Sequence, residues 1–226
     1  MKITVFVLIV LSLIVVFSIV LSVLRWQKSQ RERKQKMLAT LLNRSNRLLD
    51  IFQTVSGRYL PGSVKKVLVE YAFSITTQLV KDHYDARAEL NHAGLVEVFD
   101  NLKLGEKGEV KMRIASQEEL TSTQNTLQYL SRMLKKLAEN RVIDNGSAKY
   151  HMGLLRYTHS LAYCDVLVNQ AAQDLDLDKK SRALEKYRTA LVALERVSSG
   201  GYAQKEIAHL KVMIDDVEKK LFQPTK

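Results

Sequence analysis

The sequence predicts an all-α chain: a single N-terminal transmembrane helix followed by a helical bundle or a stack of helical hairpins. Three observations predict it. From Ile3 to Leu24 there is no charged residue. Only two prolines, Pro61 and Pro224, interrupt 226 residues. Beyond residue 37 apolar side chains recur at steps of three and four, the helical period, with no sustained alternation of the kind a half-buried strand shows.

The apolar run would give about 33 Å of helix, enough for a hydrocarbon core of about 30 Å. Its polar side chains, Thr4, Ser12, Ser18 and Ser22, can return hydrogen bonds to their own helix. Its many β-branched residues do not argue for a strand, because a helix in lipid satisfies its own backbone. A cleaved secretory signal has a shorter apolar region and ends in small residues. This run ends Ser22-Val23-Leu24-Arg25-Trp26, without an Ala-x-Ala-like site, and reads as an uncleaved anchor.

Charge sets the expected orientation. Before the run stands only Lys2; after it come Arg25, Lys28, Arg31, Arg33, Lys34 and Lys36 against Glu32. The positive-inside rule then puts the N-terminus outside and the larger part on the cytoplasmic face of the cell (inner) membrane. These six basic residues and Trp26 are the expected contacts with lipid headgroups. The lone Cys164 agrees, since it cannot form an intramolecular disulfide. Of the net +11, residues 1–36 carry +6 and residues 37–226 carry +5. A nucleic-acid partner is disfavoured, because no folded basic face with interleaved aromatics is visible. The expected organisation is residues 1–24 as anchor, 25–36 as basic juxtamembrane segment and 37–226 as helical cytoplasmic domain, with a sub-boundary near 104–115.

The first helix is expected to run out of the membrane to about Val55, with Leu38, Leu41, Leu42, Leu48, Leu49, Phe52 and Val55 as its apolar stripe. Gly57 and Leu60-Pro61-Gly62 stop it. Ser63 is the expected N-cap of a second helix to about Tyr84, with Val64, Val67, Leu68, Ile75 and Leu79 inward. A third covers roughly Ala86 to Leu102. Gly105 to Gly108 reads as a loop and Val110 to Ile114 as extended. Ser116-Gln117-Glu118-Glu119 is a capping box opening a helix to about Asn140, with Leu120, Leu127, Leu130, Leu134 and Leu137 on one side. Asp144-Asn145-Gly146-Ser147 reads as a turn.

The C-terminal third has the clearest pattern. Leu154, Tyr157, Leu161, Cys164, Val168, Ala171 and Leu175 alternate steps of three and four, as the seam of an antiparallel pair requires. Asp176 to Asp178 is expected to end that helix and cap the next, whose stripe is Leu184, Tyr187, Leu191 and Leu194. Ser198-Ser199-Gly200-Gly201 is another stop. A last helix follows with Ile207, Leu210, Ile214, Val217 and Leu221. Arg182 to Leu191 resembles the second helix of a tetratricopeptide repeat, in which small, aromatic and small residues recur as at Ala183, Tyr187 and Ala190. The resemblance covers about ten residues. The preceding helix departs from the repeat's pattern at Leu167, Gln170-Ala171 and Asp174, and no second copy follows at a period of about 34 residues. It implies a helical hairpin of that style, with a partner-binding groove.

No glycine-rich phosphate loop, His-Glu-x-x-His, Gly-x-Ser-x-Gly or cysteine pair is present. Cys164, on the apolar seam, reads as packing. Two Glu-x-x-His pairs, Glu89/His92 and Glu206/His209, place a carboxylate and an imidazole on one helix face. With Glu70 and Glu119 or Glu139 they would complete the ligand set of ferritin-like di-iron bundles. This di-metal carboxylate enzyme is the alternative reading; solvated flank residues are the simpler one. His151 and His159 have no matched carboxylates and read as surface or cap residues. Tyr157 reads as core, while Tyr150 and Tyr163 are candidates to line a partner groove. The leading expectation is therefore a membrane-anchored helical domain that binds another protein or itself, has no catalytic residues or cofactor, and localises an assembly at the membrane.

Overall fold

The computed structural model describes residues 2–82, 84–103, 112–198 and 201–222; the side chains of residues 2–16, 18–20 and 103 are not among those described. Among the described residues there are seven α-helices and no strand. The expected all-α class holds.

Helix α1 (Lys2–Thr54) is unbroken for 53 residues. Most of the side chains on which the anchor expectation rests lie outside the described residues. Among those described, no helix is long and apolar enough to cross a membrane. Residues 21–37 of α1 are exposed apart from half-buried Ser29, and burial starts at Leu38. From there Leu38 and Leu42 pack with Ile75 and Leu79 of α2 (Gly62–Lys81) and Ala88 of α3 (Ala86–Lys103). Helix α2 runs antiparallel to α1: Lys34 meets Asp82 just beyond α2, and Arg44 donates to the Tyr71 hydroxyl.

Helix α4 (Gln117–Glu139) begins at the expected capping box: Ser116 Oγ accepts from Glu119 N–H, and the Glu119 carboxylate accepts from Ser116 N–H. The main core joins α1 to α5 (Asn145–Asp176) through Leu48, Phe52, Leu68, Leu95, Leu130, Leu134 and Leu155, so residues on both sides of 104–115 share it. Of the expected extended stretch, Val110 and Lys111 lie outside the described residues, as does Gly105 to Gly108. Met112 to Ala115 form no regular structure.

Helix α5 is followed by α6 (Lys180–Glu195) and α7 (Gln204–Phe222), packed in sequence as antiparallel neighbours. Cys164 faces Ala190, Lys186 reaches Asp174, and Arg188 reaches Glu218. Ala183, Tyr187 and Ala190 are all buried between helices. Alanine at 190 lets the Cys164 thiol approach closely enough to donate to its carbonyl at 3.2 Å. Helices α5 and α6 thus form an antiparallel pair of unequal length, 32 and 16 residues.

Three local expectations are corrected. Ser63 is not a cap: α2 starts at Gly62 with Pro61 at the cap position and no side-chain cap bond, so Ser63 is already the second helical residue. The stretch Asp144 to Ser147 is not a separate turn. Asp144 is the N-cap of α5, its carboxylate accepting from Ser147 N–H at 3.0 Å, and the other three residues are helical. The chain reverses earlier, at Arg141 (φ 58°), where Val142 N–H bonds to Leu137 O and Arg141 N–H to Ala138 O in a Schellman closure. The same closure ends α5 at Asp178 (φ 55°), so Asp178 does not cap α6; the cap position is Lys179, without a side-chain bond.

Candidate interaction site

Helix α5 presents two buried seams. The expected one, Leu154 through Leu175, is buried or half-buried throughout. A second, Ala148, His151, Leu155, Thr158, Ala162 and Asp165, is also buried and follows the same three-four spacing. Cys164 turns the first seam toward α6, and Leu155 and Ala162 turn the second toward α4 and the α1–α2 connection.

Asp165, 5% exposed, makes a polar tie on that second seam. Arg58, four residues past α1, donates to both its oxygens: Nε to Oδ2 at 2.6 Å and Nη2 to Oδ1 at 2.9 Å. Tyr59 Oη donates to Oδ2 at 2.7 Å and accepts from Ile114 N–H at 2.9 Å. Arg58 also reaches Glu206 of α7 at 3.4 Å, and Arg113 Nε lies 3.8 Å from Asp165. One carboxylate thereby links the end of α1, the segment before α4, α5 and, through Arg58, α7. The bond to Asp165 holds the Arg58 guanidinium above its ordinary pKa despite burial. Burial, helped by Asp165, raises the Tyr59 phenol. With both oxygens taken up by Arg58 and Tyr59, the carboxylate fastens these segments together.

The two expected groove tyrosines lie on different surfaces. Tyr163 lines a groove of about 480 Å³ with Leu184, Arg188, Val192 and Arg196 of the α6 region. Tyr150 instead stacks edge-on against Tyr202, centroids 6.0 Å apart, and against its neighbour His151. Thirteen positions apart on one helix, their side chains differ in azimuth by roughly 140°, which is why they cannot share a groove.

Cys164 is packing, as expected; burial pushes its thiol up to about 12. The four alternative metal ligands are not gathered. His92 Nδ1 lies 3.2 Å from Thr76 Oγ1, and its ring meets Phe73 edge-on. Glu206 faces Arg58, while Glu89 and His209 are exposed. No group of three or more His, Cys, Asp or Glu that could hold a metal ion occurs among the described residues, which include Glu70, Glu119 and Glu139. His151 is a correction: it is buried, not at the surface.

No family model, curated protein or solved structure matches the chain. Function has to be argued from the molecule itself. Of the expected headgroup contacts, Arg25, Trp26, Lys28, Arg31, Arg33, Lys34 and Lys36 are all exposed, and Lys34 is paired with Asp82 at 2.9 Å. The groove residues on α6 and the Arg58–Asp165 tie went unread in the sequence. Asp165 had a signal: a charge inside a second three-four seam.

Proposed function

We propose that the protein is a membrane-tethered scaffold, whose helical domain holds a partner protein or a second copy at the cytoplasmic face. The observation that carries this reading is the continuity of α1: one rod from Lys2 to Thr54 with three successive surfaces. The sequence of its first part is uncharged from Ile3 to Leu24, the next part is basic, and the last is core of the domain. A flexible linker would let the domain drift; an unbroken helix fixes its height and heading. The basic stretch suits anionic headgroups at about 1 kcal/mol per residue, and confinement to a surface raises a partner's effective concentration.

The test uses the full chain in sealed membrane vesicles of known sidedness. Alkaline carbonate should leave it in the membrane, and protease should reach the domain only from the cytoplasmic face. Crosslinking in those membranes should give a defined adduct. Release by carbonate removes the anchor, protection of the domain reverses the orientation, and a strictly uncrosslinked monomer removes the scaffold.

A further inference from the structure

The α6 region is mixed in charge: residues 174–196 hold six basic side chains against Asp174, Asp176, Asp178, Glu185 and Glu195, a net +1, and Asp174 and Asp178 take up Lys186 and Lys180. The groove itself is lined by two arginines and one carboxylate, Arg188, Arg196 and Glu185. Bordering the groove, Arg188 and Val192 of α6 and Arg196, its C-cap, succeed one another at i, i+4 and i+8, about 12 Å from end to end. Val192 is 47% exposed and Tyr163, across the groove on α5, 37%. Arg188 is steadied by Glu218 at 2.6 Å yet keeps further N–H donors. Arg196 has no ion pair among the described residues.

We propose that this groove binds an acidic amphipathic helix of a partner protein. An apolar side chain of that helix sits over Val192 and Leu184 against the Tyr163 ring, and carboxylates two turns apart meet Arg188 and Arg196. Charge and spacing select an acidic helix over a basic or neutral one. The fold argues against a lipid surface as the occupant. From Lys36, the last of the basic stretch, α1 continues about 27 Å to Thr54. Arg58, just beyond, binds Glu206 at the start of α7, so the α6–α7 connection that Arg196 enters is remote from the basic stretch. The proposal rests on the scaffold reading and names the partner class that reading leaves open.

The experiment is a titration of the full chain, held in uncharged nanodiscs, with a fluorescent Ala/Leu helix of about five turns carrying glutamates two turns apart. Its lysine counterpart and vesicles containing phosphatidylserine serve as comparisons. Saturable binding of the glutamate helix alone is expected. Arg196→Glu and Val192→Glu, each at an exposed position, should weaken it roughly tenfold, a change of about 1.4 kcal/mol, and salt should weaken it further. Lys135→Glu on α4 should leave it unchanged. No saturable binding, equal binding of the lysine helix, or indifference to both groove substitutions overturns the proposal. So does vesicle binding that falls with Arg196→Glu while peptide binding does not. If the groove fails but a crosslinked adduct still forms in membranes, the scaffold reading stands; if both fail, it falls too.

Discussion

At the residue scale, Asp165 decides most. It is a buried carboxylate whose oxygens are taken up by a guanidinium and a phenol, and removing one partner of such a set leaves the others desolvated without compensation. Asp165→Ala should therefore cost about 3–5 kcal/mol, read as a fall in Tm of roughly 6–20 °C for a chain of this size. Tyr59→Phe is the milder comparison at about 1–3 kcal/mol, because it orphans Ile114 N–H while leaving Arg58 in place. His151 supplies a pH dependence. Its Nδ1 is buried without a hydrogen-bond partner among the described residues, and burial lowers its pKa, as it does for His159. The folded state thus resists protonation that the unfolded chain accepts near pH 6.5. Stability should be fully present above that value and decline as pH falls through the window below it. Thermal melts of His151→Leu between pH 7 and 5 should show a shallower decline than those of the native chain; an unchanged slope would sink the assignment.

At the element scale, the helix ends are where local sequence and structure part. Gly146 in Asp144-Asn145-Gly146-Ser147 predicts a turn that the chain does not make there. The chain uses Arg141 and Asp178 in the left-handed region instead, at positions where glycine avoids the Cβ clash. Arg141→Gly should accordingly raise stability by up to about 1 kcal/mol. Within α5, Gly153 sits in regular helix, and a Cβ there would meet nothing within 4 Å. Gly153→Ala should add about 0.5–1 kcal/mol. Chemical denaturation of both variants checks the pair, and a loss at Gly153 would mean that the open space has a role. Where periodicity is long and apolar the elements lie close to expectation: the end of α1, both ends of α4 and the α5 seam are within a residue or two.

At the scale of the whole molecule, α1 is the common member. It is core for α2 and α3, the segment just past it is fastened to α5 and α7 through Arg58, and its residues 21–37 are exposed apart from half-buried Ser29. Any tilt of that rod would reach the C-terminal hairpins through the core that α1 shares with α5 and through the Arg58–Asp165 pair in the segment after α1. The amino-acid sequence by itself determined the all-α class, the number and rough bounds of the helices, the uncharged N-terminal run with its basic flank, and the absence of familiar catalytic motifs, because helical period, charge and proline placement are local properties. Only the tertiary structure decided that Tyr150 and Tyr163 face different surfaces, that the two Glu-x-x-His pairs are not gathered into one ligand set, that His151 is interior, and that Arg58 finds Asp165 at a separation of 107 positions. Those outcomes depend on which faces of which helices meet. A three-four spacing says that a face will be buried, but not against what.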